Sequence, residues 1–179
     1  MTAMRVLVMY ESMFGNSERV ARAVADGLAA VAEVAVRDVT VSHPGDVPGG
    51  IDLLVVGAPT HALSLSRPST REEALRQGAE QGLASRGMRE WLDGLPVDLH
   101  QLPYAAFDTR VSRVRRLPGS AARSASRILR RHQGVPVVAA ASFFVDDVRG
   151  PLGDDELERA RAWGARLGSI VLRDHAPAT

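Results

Sequence analysis

Directly after an apolar run, Arg5 to Tyr10, the chain reads Glu11-Ser12-Met13-Phe14-Gly15-Asn16-Ser17-Glu18 and then enters a helical pattern. A strand that turns at a glycine into a helix presents unpaired backbone N–H groups and the positive end of the helix dipole. Gly15 lets the backbone bend tightly, and Ser12, Asn16 and Ser17 add side-chain hydrogen bonds, a combination that suits a phosphate. The glycines of G-x-G-x-x-G are missing, so a mononucleotide is expected rather than a dinucleotide. The same Asn and Ser also serve a helix cap with no ligand, and both readings stand at this point.

Composition removes several alternatives. There is no cysteine, which excludes thiol nucleophiles, disulfides and iron–sulfur clusters, so redox chemistry needs a borrowed cofactor. All 22 basic residues are arginine, which excludes a Schiff-base lysine and the lysine of a phosphate-binding P-loop. No apolar run approaches the ~20 residues of a membrane helix, and the first residues lack a small-residue cleavage site; a cytoplasmic protein with no membrane partner is expected.

The elements that must position the loop follow from periodicity. Apolar, β-branched runs at Arg5 to Tyr10, Asp52 to Gly57, Tyr104 to Phe107 and Val135 to Val145 read as strands. The first two are nearly uninterrupted in Val, Leu and Met, as strands covered on both faces are. Glu33 to Val39 alternates polar and apolar, which predicts an edge strand. Val20, Val24 and Leu28 give the first helix one apolar stripe; Leu157, Ala160, Trp163, Leu167 and Ile170 do the same for a last helix over about 154–172. Ser69 and Thr70, with Glu72 and Glu73 three residues on, predict a helix start with Pro68 just outside it. Strands alternating with helices predict one doubly wound α/β domain over residues 1–179, with a flexible tail after about residue 174 and ligands beyond the strands' carboxyl ends.

On these residues the sequence resembles the flavodoxin family, whose first loop, Ser/Thr-x-Thr-Gly-x-Thr, wraps the phosphate of FMN. Here it reads Ser12-Met13-Phe14-Gly15-Asn16-Ser17, similar to the Ser-Met-aromatic-Gly loops of flavodiiron proteins and flavodoxin-like quinone reductases. Val56-Gly57-Ala58-Pro59-Thr60-His61 resembles the second loop, which touches the flavin ring. The resemblance implies that Pro59, Thr60 and His61 border the ring, with the imidazole over one face. Asp108, Thr109 and Arg110 lie where the third flavin loop would be, on position alone; Arg110 beside the ring's pyrimidine edge would favour negative charge there. What the resemblance implies for the whole is a five-stranded parallel sheet in order 2-1-3-4-5 with helices on both faces, FMN as cofactor, and electron or hydride transfer with a redox partner protein or NAD(P)H. That is either a quinone-reductase-like enzyme or an electron carrier, and related reductases pair two copies to complete the site. The other class left open is a flavin-less binding or regulatory module on the same fold.

Other constellations read as structural. Arginines crowd between Arg110 and Arg131, which suits a solvated helix face or an electropositive docking surface, but no interleaved aromatics point to nucleic acid. Asp146, Asp147, Asp154 and Asp155 fall beside a turn and a helix start, with no metal expected. Trp91 and Trp163 lie among leucines and are expected in the packing.

Overall fold

The computed structural model describes residues 3–175; the tail expected to be flexible falls, beyond residue 175, outside the described residues. Strands β1 (Met4–Tyr10), β2 (Ala32–Asp38), β3 (Leu53–Pro59), β4 (Pro103–Val111), β5 (Val135–Pro136) and β6 (Ala141–Val145) form one sheet. All pairings are parallel, and the order is β2-β1-β3-β4-β5, with β6 also on β4. The expected order 2-1-3-4-5 is therefore present, with the fifth strand in two pieces. Tyr104 pairs with Pro136 and Phe107 with Ala141, so β4 advances three residues while its neighbour advances five. Val137 N still donates to Tyr104 O at 2.8 Å, and the two extra residues are taken up as a bulge within 137–140.

Alternation sorts the strand residues onto two cores. Val6, Val8, Leu53, Val55, Ala105 and Phe107 face α1 (Asn16–Leu28) and α5 (Glu156–His175), where Val20, Val24, Leu28, Ala160 and Leu167 are buried. Leu7, Met9, Leu54, Val56 and Ala106 face α3 (Met88–Asp93) and α4 (Ala121–Arg131), where Trp91 is fully buried. β2 alternates half-buried and exposed residues, as an edge strand does. Trp163 meets Phe107 and Phe143 edge-on at 6.2 and 6.1 Å, so both tryptophans pack where the sequence placed them. Helix α2 (Pro68–Arg76) departs from expectation at its start. Pro68 is its first residue rather than just outside, since proline needs no N–H partner there. Thr70 closes the turn, its hydroxyl accepting from Arg67 N at 2.9 Å. Among the described residues no helix is long and apolar enough to cross a membrane.

Two glycines bring α1 and α5 into backbone contact. A Cβ on Gly27 would lie 2.0 Å from the Arg161 carbonyl oxygen, and one on Gly164 would lie 2.1 Å from that of Val24. Gly164→Ala should therefore force the helices apart and cost about 1–3 kcal/mol. At roughly 2–4 °C per kcal/mol for a chain this size, a thermal melt reads the loss directly. Gly49→Ala, with nothing within 4 Å of its Cβ, should melt with the parent.

Candidate functional site

The carboxyl ends of β1, β3 and β4 open into a cleft of about 290 Å³. Ser12, Met13, Phe14, Asn16 and Ser17 line it from the first loop, Pro59, Thr60 and His61 from the second, and Thr109 and Arg110 from β4. Gly15 stands behind them as the N-cap of α1, with φ 87°, a left-handed conformation glycine adopts at no steric cost. Asp108 is not brought into the cleft. Its carboxylate is fully buried, and Oδ2 accepts from Ala122 N at 3.0 Å, because alternation along β4 turns it toward α4 while Thr109 faces α1.

Two of the helices that begin at this edge, α4 and α1, are finished differently. At α4 each of the first three N–H groups meets a side chain: Ala121 N donates to Thr60 Oγ1 at 2.9 Å, Ala122 N to Asp108, and Arg123 N to Ser120 Oγ at 3.3 Å. At α1 no side chain caps the start. The N–H groups of Asn16, Ser17 and Glu18 lie in the first turn, where no intrahelical acceptor exists. They carry the helix's partial positive charge beside the cleft.

Hydroxyls gather at the same point. Ser12 Oγ accepts from Gly15 N at 3.1 Å, which leaves its own proton for another acceptor. Ser17 Oγ and Thr109 Oγ1 are 2.6 Å apart; that bond uses one of their two protons and leaves the other. Asn16 is less free, its amide donating to Arg149 O at 3.1 Å. Arg149 in turn reaches across to the Gln77 carbonyl.

Deeper in, Arg110 is 5% exposed. Its Nη2 donates to the carbonyls of Val114 and Leu117, while its buried Nε has no partner and no carboxylate offsets its charge among the described residues. Opposite lies His61, whose Nδ1 is 3.1 Å from Thr70 Oγ1. Burial first, and the positive Arg71 second, push the imidazole down to about 4, so it is neutral at pH 7. It precedes a two-residue turn in which His61 and Ser64 exchange backbone hydrogen bonds at 2.9 and 3.0 Å. Ala62 and Leu63 hold φ of 46° and 60° there. Neither is glycine, so the turn is strained by about 1–2 kcal/mol per residue and must be clamped. Arg89 supplies a clamp, donating to Leu65 O at 2.8 Å and Ser66 O at 3.0 Å.

Sequence reasoning missed the wall that α2 contributes, with Thr70, Glu73, Ala74 and Gln77. It also missed the buried network behind the first loop. Glu11 accepts from Ser66 Oγ at 2.5 Å and Met88 N at 2.7 Å. Arg71 donates to Ser66 Oγ at 2.7 Å, Glu90 Oε1 at 2.9 Å and Ala84 O at 2.9 Å. Burial pushes the Glu11 carboxyl up, against the lowering effect of Ser66, Met88 N and Arg71. Glu11, a carboxylate directly after an apolar strand run, was the available signal; Arg71 stands in a polar stretch and gave none.

A histidine held below its unfolded value of about 6.5 is protonated more readily by the unfolded chain, so it costs stability as pH falls from about 6.5 toward 4 and nothing above. His61→Gln should therefore lose less melting temperature than the parent between those pH values and match its pH dependence above 7. Parallel melts across that range test this; identical slopes would show that His61 titrates normally.

No family model matches the chain, and no curated protein is similar to it in sequence. Solved structures are similar in fold. Oxidised Flavodoxin 1 from Bacillus cereus superposes with a TM-score of 0.67 at 17% identity, over 96% of this chain and 99% of that one. A WrbA-like flavodoxin from Agrobacterium tumefaciens gives 0.59 at 17% identity, over 97% and 100%. The Flv1 flavodiiron core from Synechocystis sp. PCC6803 gives 0.64 at 16% identity, over 97% of this chain and 37% of that longer one. This chain thus spans little more than a third of that protein.

Proposed function

From the premise of a flavodoxin-like fold, we propose that this protein binds FMN in the cleft and uses it for electron or hydride transfer with NAD(P)H or a redox partner protein. The carrying observation is the uncapped start of α1, with open N–H groups and the spare protons of Ser12 and the Ser17–Thr109 pair at one point. Those groups match a phosphate monoester, and no lysine is needed. The buried, unpartnered Arg110 Nε supplies a charged donor for a further acceptor in the cleft. Phe14, Pro59, Val111 and Val145 offer apolar surface between them, as a planar ring requires. The cleft volume sits at the lower end of the roughly 300–1,000 Å³ of ligand pockets.

Bound flavin would supply the redox chemistry, as cofactors do. The chain's own residues bind and tune. The first loop anchors the phosphate; neutral His61 borders the ring without adding charge; Arg110 stabilises negative charge near it. A flavin-less module remains the second reading, favoured by the bonds that already engage Asn16 and Thr60 with protein partners.

Titration of flavin-stripped protein with FMN, followed by quenching of flavin fluorescence, separates the two. Saturable binding is expected, weaker for riboflavin, which lacks the phosphate. A Ser12→Ala/Ser17→Ala variant should bind about tenfold or more weakly, since hydrogen bonds to a charged group contribute about 1.5–3 kcal/mol each. No binding by either protein would leave the flavin-less module. In the loaded protein Arg110→Ala should lower the midpoint potential, by about 30 mV for a two-electron couple if about 1.4 kcal/mol of attraction is lost. An unchanged potential in spectroelectrochemical titration would remove Arg110 from that role.

A further inference from the structure

Between Asp108 and Asp146 the chain carries eight arginines and no aspartate or glutamate. With 22 basic and 21 acidic residues in all, the remainder is seven charges negative. A formal charge of +1 thus hides a strong separation of sign. In the fold this segment forms one side of the molecule: the end of β4, then α4, then the edge strand made of β5 and β6. Arg110 belongs to the cleft, and Arg113 lies 3.4 Å from Asp147. Arg123, Arg127, Arg130 and Arg131 line a separate groove of about 600 Å³, together with Ser126, Ala139 and Ala140.

Among the described residues none of those four forms an ion pair. Helix stability accounts for only part of the row. Arg130 and Arg131 stand in the last turn of α4, where cations complement the dipole. Arg123 stands in the first turn, where a cation is repelled, and no acidic residue accompanies it. Arg127, four residues on, repels it further. So much uncompensated like charge on one face calls for an external anion.

The spacing says what kind. Arg123, Arg127 and Arg131 recur every fourth residue, rising about 6 Å per step along the helix. Side chains on one face of an extended chain recur at about 6.7 Å. The groove's other wall is the bulge at 137–140, on the outer edge of the sheet, because β5 and β6 pair only with β4. Ala139 and Ala140 are exposed and too small to block a backbone. We propose that this groove docks an extended acidic segment of a partner protein, whose alternate carboxylates pair with Arg123, Arg127 and Arg131. No aromatic side chain lines it, which disfavours a base or nicotinamide ring. The start of α4 is tied to Thr60 in the cleft wall, so a partner lying along α4 ends beside the flavin site. Only its identity as an electron donor or acceptor rests on the flavin reading.

The probe is a fluorescein-labelled peptide of about eight residues alternating Glu and Ser, followed by anisotropy against the full chain with and without FMN. Saturable binding is expected in both, weakening steeply as salt rises from about 20 to about 200 mM. R127E/R131E should weaken it about tenfold or more, R127A/R131A less, and the exposed pair R166E/R173E hardly at all. Equal weakening by R166E/R173E, or none by R127E/R131E, overturns the proposal. Tighter binding of a labelled oligothymidylate or of ADP would overturn it in favour of nucleic acid or nucleotide. Self-association that R127E/R131E abolishes would assign the groove to a second copy instead. Failure of FMN to bind leaves this result intact, so the two readings fail separately.

Discussion

Backbone N–H groups at a helix start need acceptors, and at the carboxyl edge of this sheet side chains meet that requirement for α4 and leave it open for α1, on the opposite face. Thr60, Asp108 and Ser120 each give an oxygen to α4. At α1, Gly15 has no side chain to give, and its left-handed φ turns the chain into a helix whose first residues, Asn16 and Ser17, line the cleft. The contrast leaves the start of α1, and not that of α4, with donors to spare. It also explains why two polar residues that sit at strand ends, as ligand contacts often do, are engaged elsewhere. Thr60 gives its hydroxyl oxygen to Ala121 N, and its own N–H donates to Thr109 O at 2.9 Å. Asp108 is removed from the cleft altogether.

The open loop is held in place from behind. Glu11, one residue before Ser12, is anchored by Ser66 and Met88 N, and Arg71 ties Ser66 to Glu90. A Cβ on Gly87 would come within 2.5 Å of Arg71 Nη1 and 2.7 Å of Glu11 Oε2, so the network is packed to contact. Removing one member of such a buried set strands the charge of another, which costs about 3–5 kcal/mol. The segment between β3 and β4 is thereby fastened to the end of β1. The strained turn at Ala62 and Leu63 persists because its flanks are fixed on both sides.

Strands, their order and the first two loops were legible because each is a local pattern: unbroken apolar runs for β1 and β3, alternation for β2, a glycine at a strand-to-helix turn. The split of the fifth strand was not, since Val135 to Val145 is apolar but for Ser142 and only its register against β4 reveals two extra residues. Asp108 was misplaced because position after a strand does not tell which face a side chain takes; one residue along β4 changes it from α1 to α4. The Glu11–Arg71 network is tied to the first loop by bonds from Glu11 to residues 55 and 77 positions away, a separation no local pattern carries. Gln81, which donates to Glu18 at 2.7 Å beside the first loop, escaped for the same reason.

The two sides of the cleft are held by different forces. On the β4 side, strand pairing and the capped start of α4 fix Thr109 and Arg110 through main-chain bonds that are buried and cooperative. On the α2 side, closure rests on long side chains: Asn16 to Arg149 O, Arg149 to Gln77 O, and Gln81 to Glu18. Two of these contacts are exposed and the third is part-buried, and none is an ion pair. Arg71 anchors the first turn of α2 but not its last, where Arg76 and Gln77 are exposed. A cleft of about 290 Å³ that must widen for a larger ligand will therefore widen at the far end of α2. The start of α1 and the guanidinium of Arg110 keep their places. On the proposed flavin reading, affinity and potential would then be set by the rigid side, and the rate of entry by the weakly tied one.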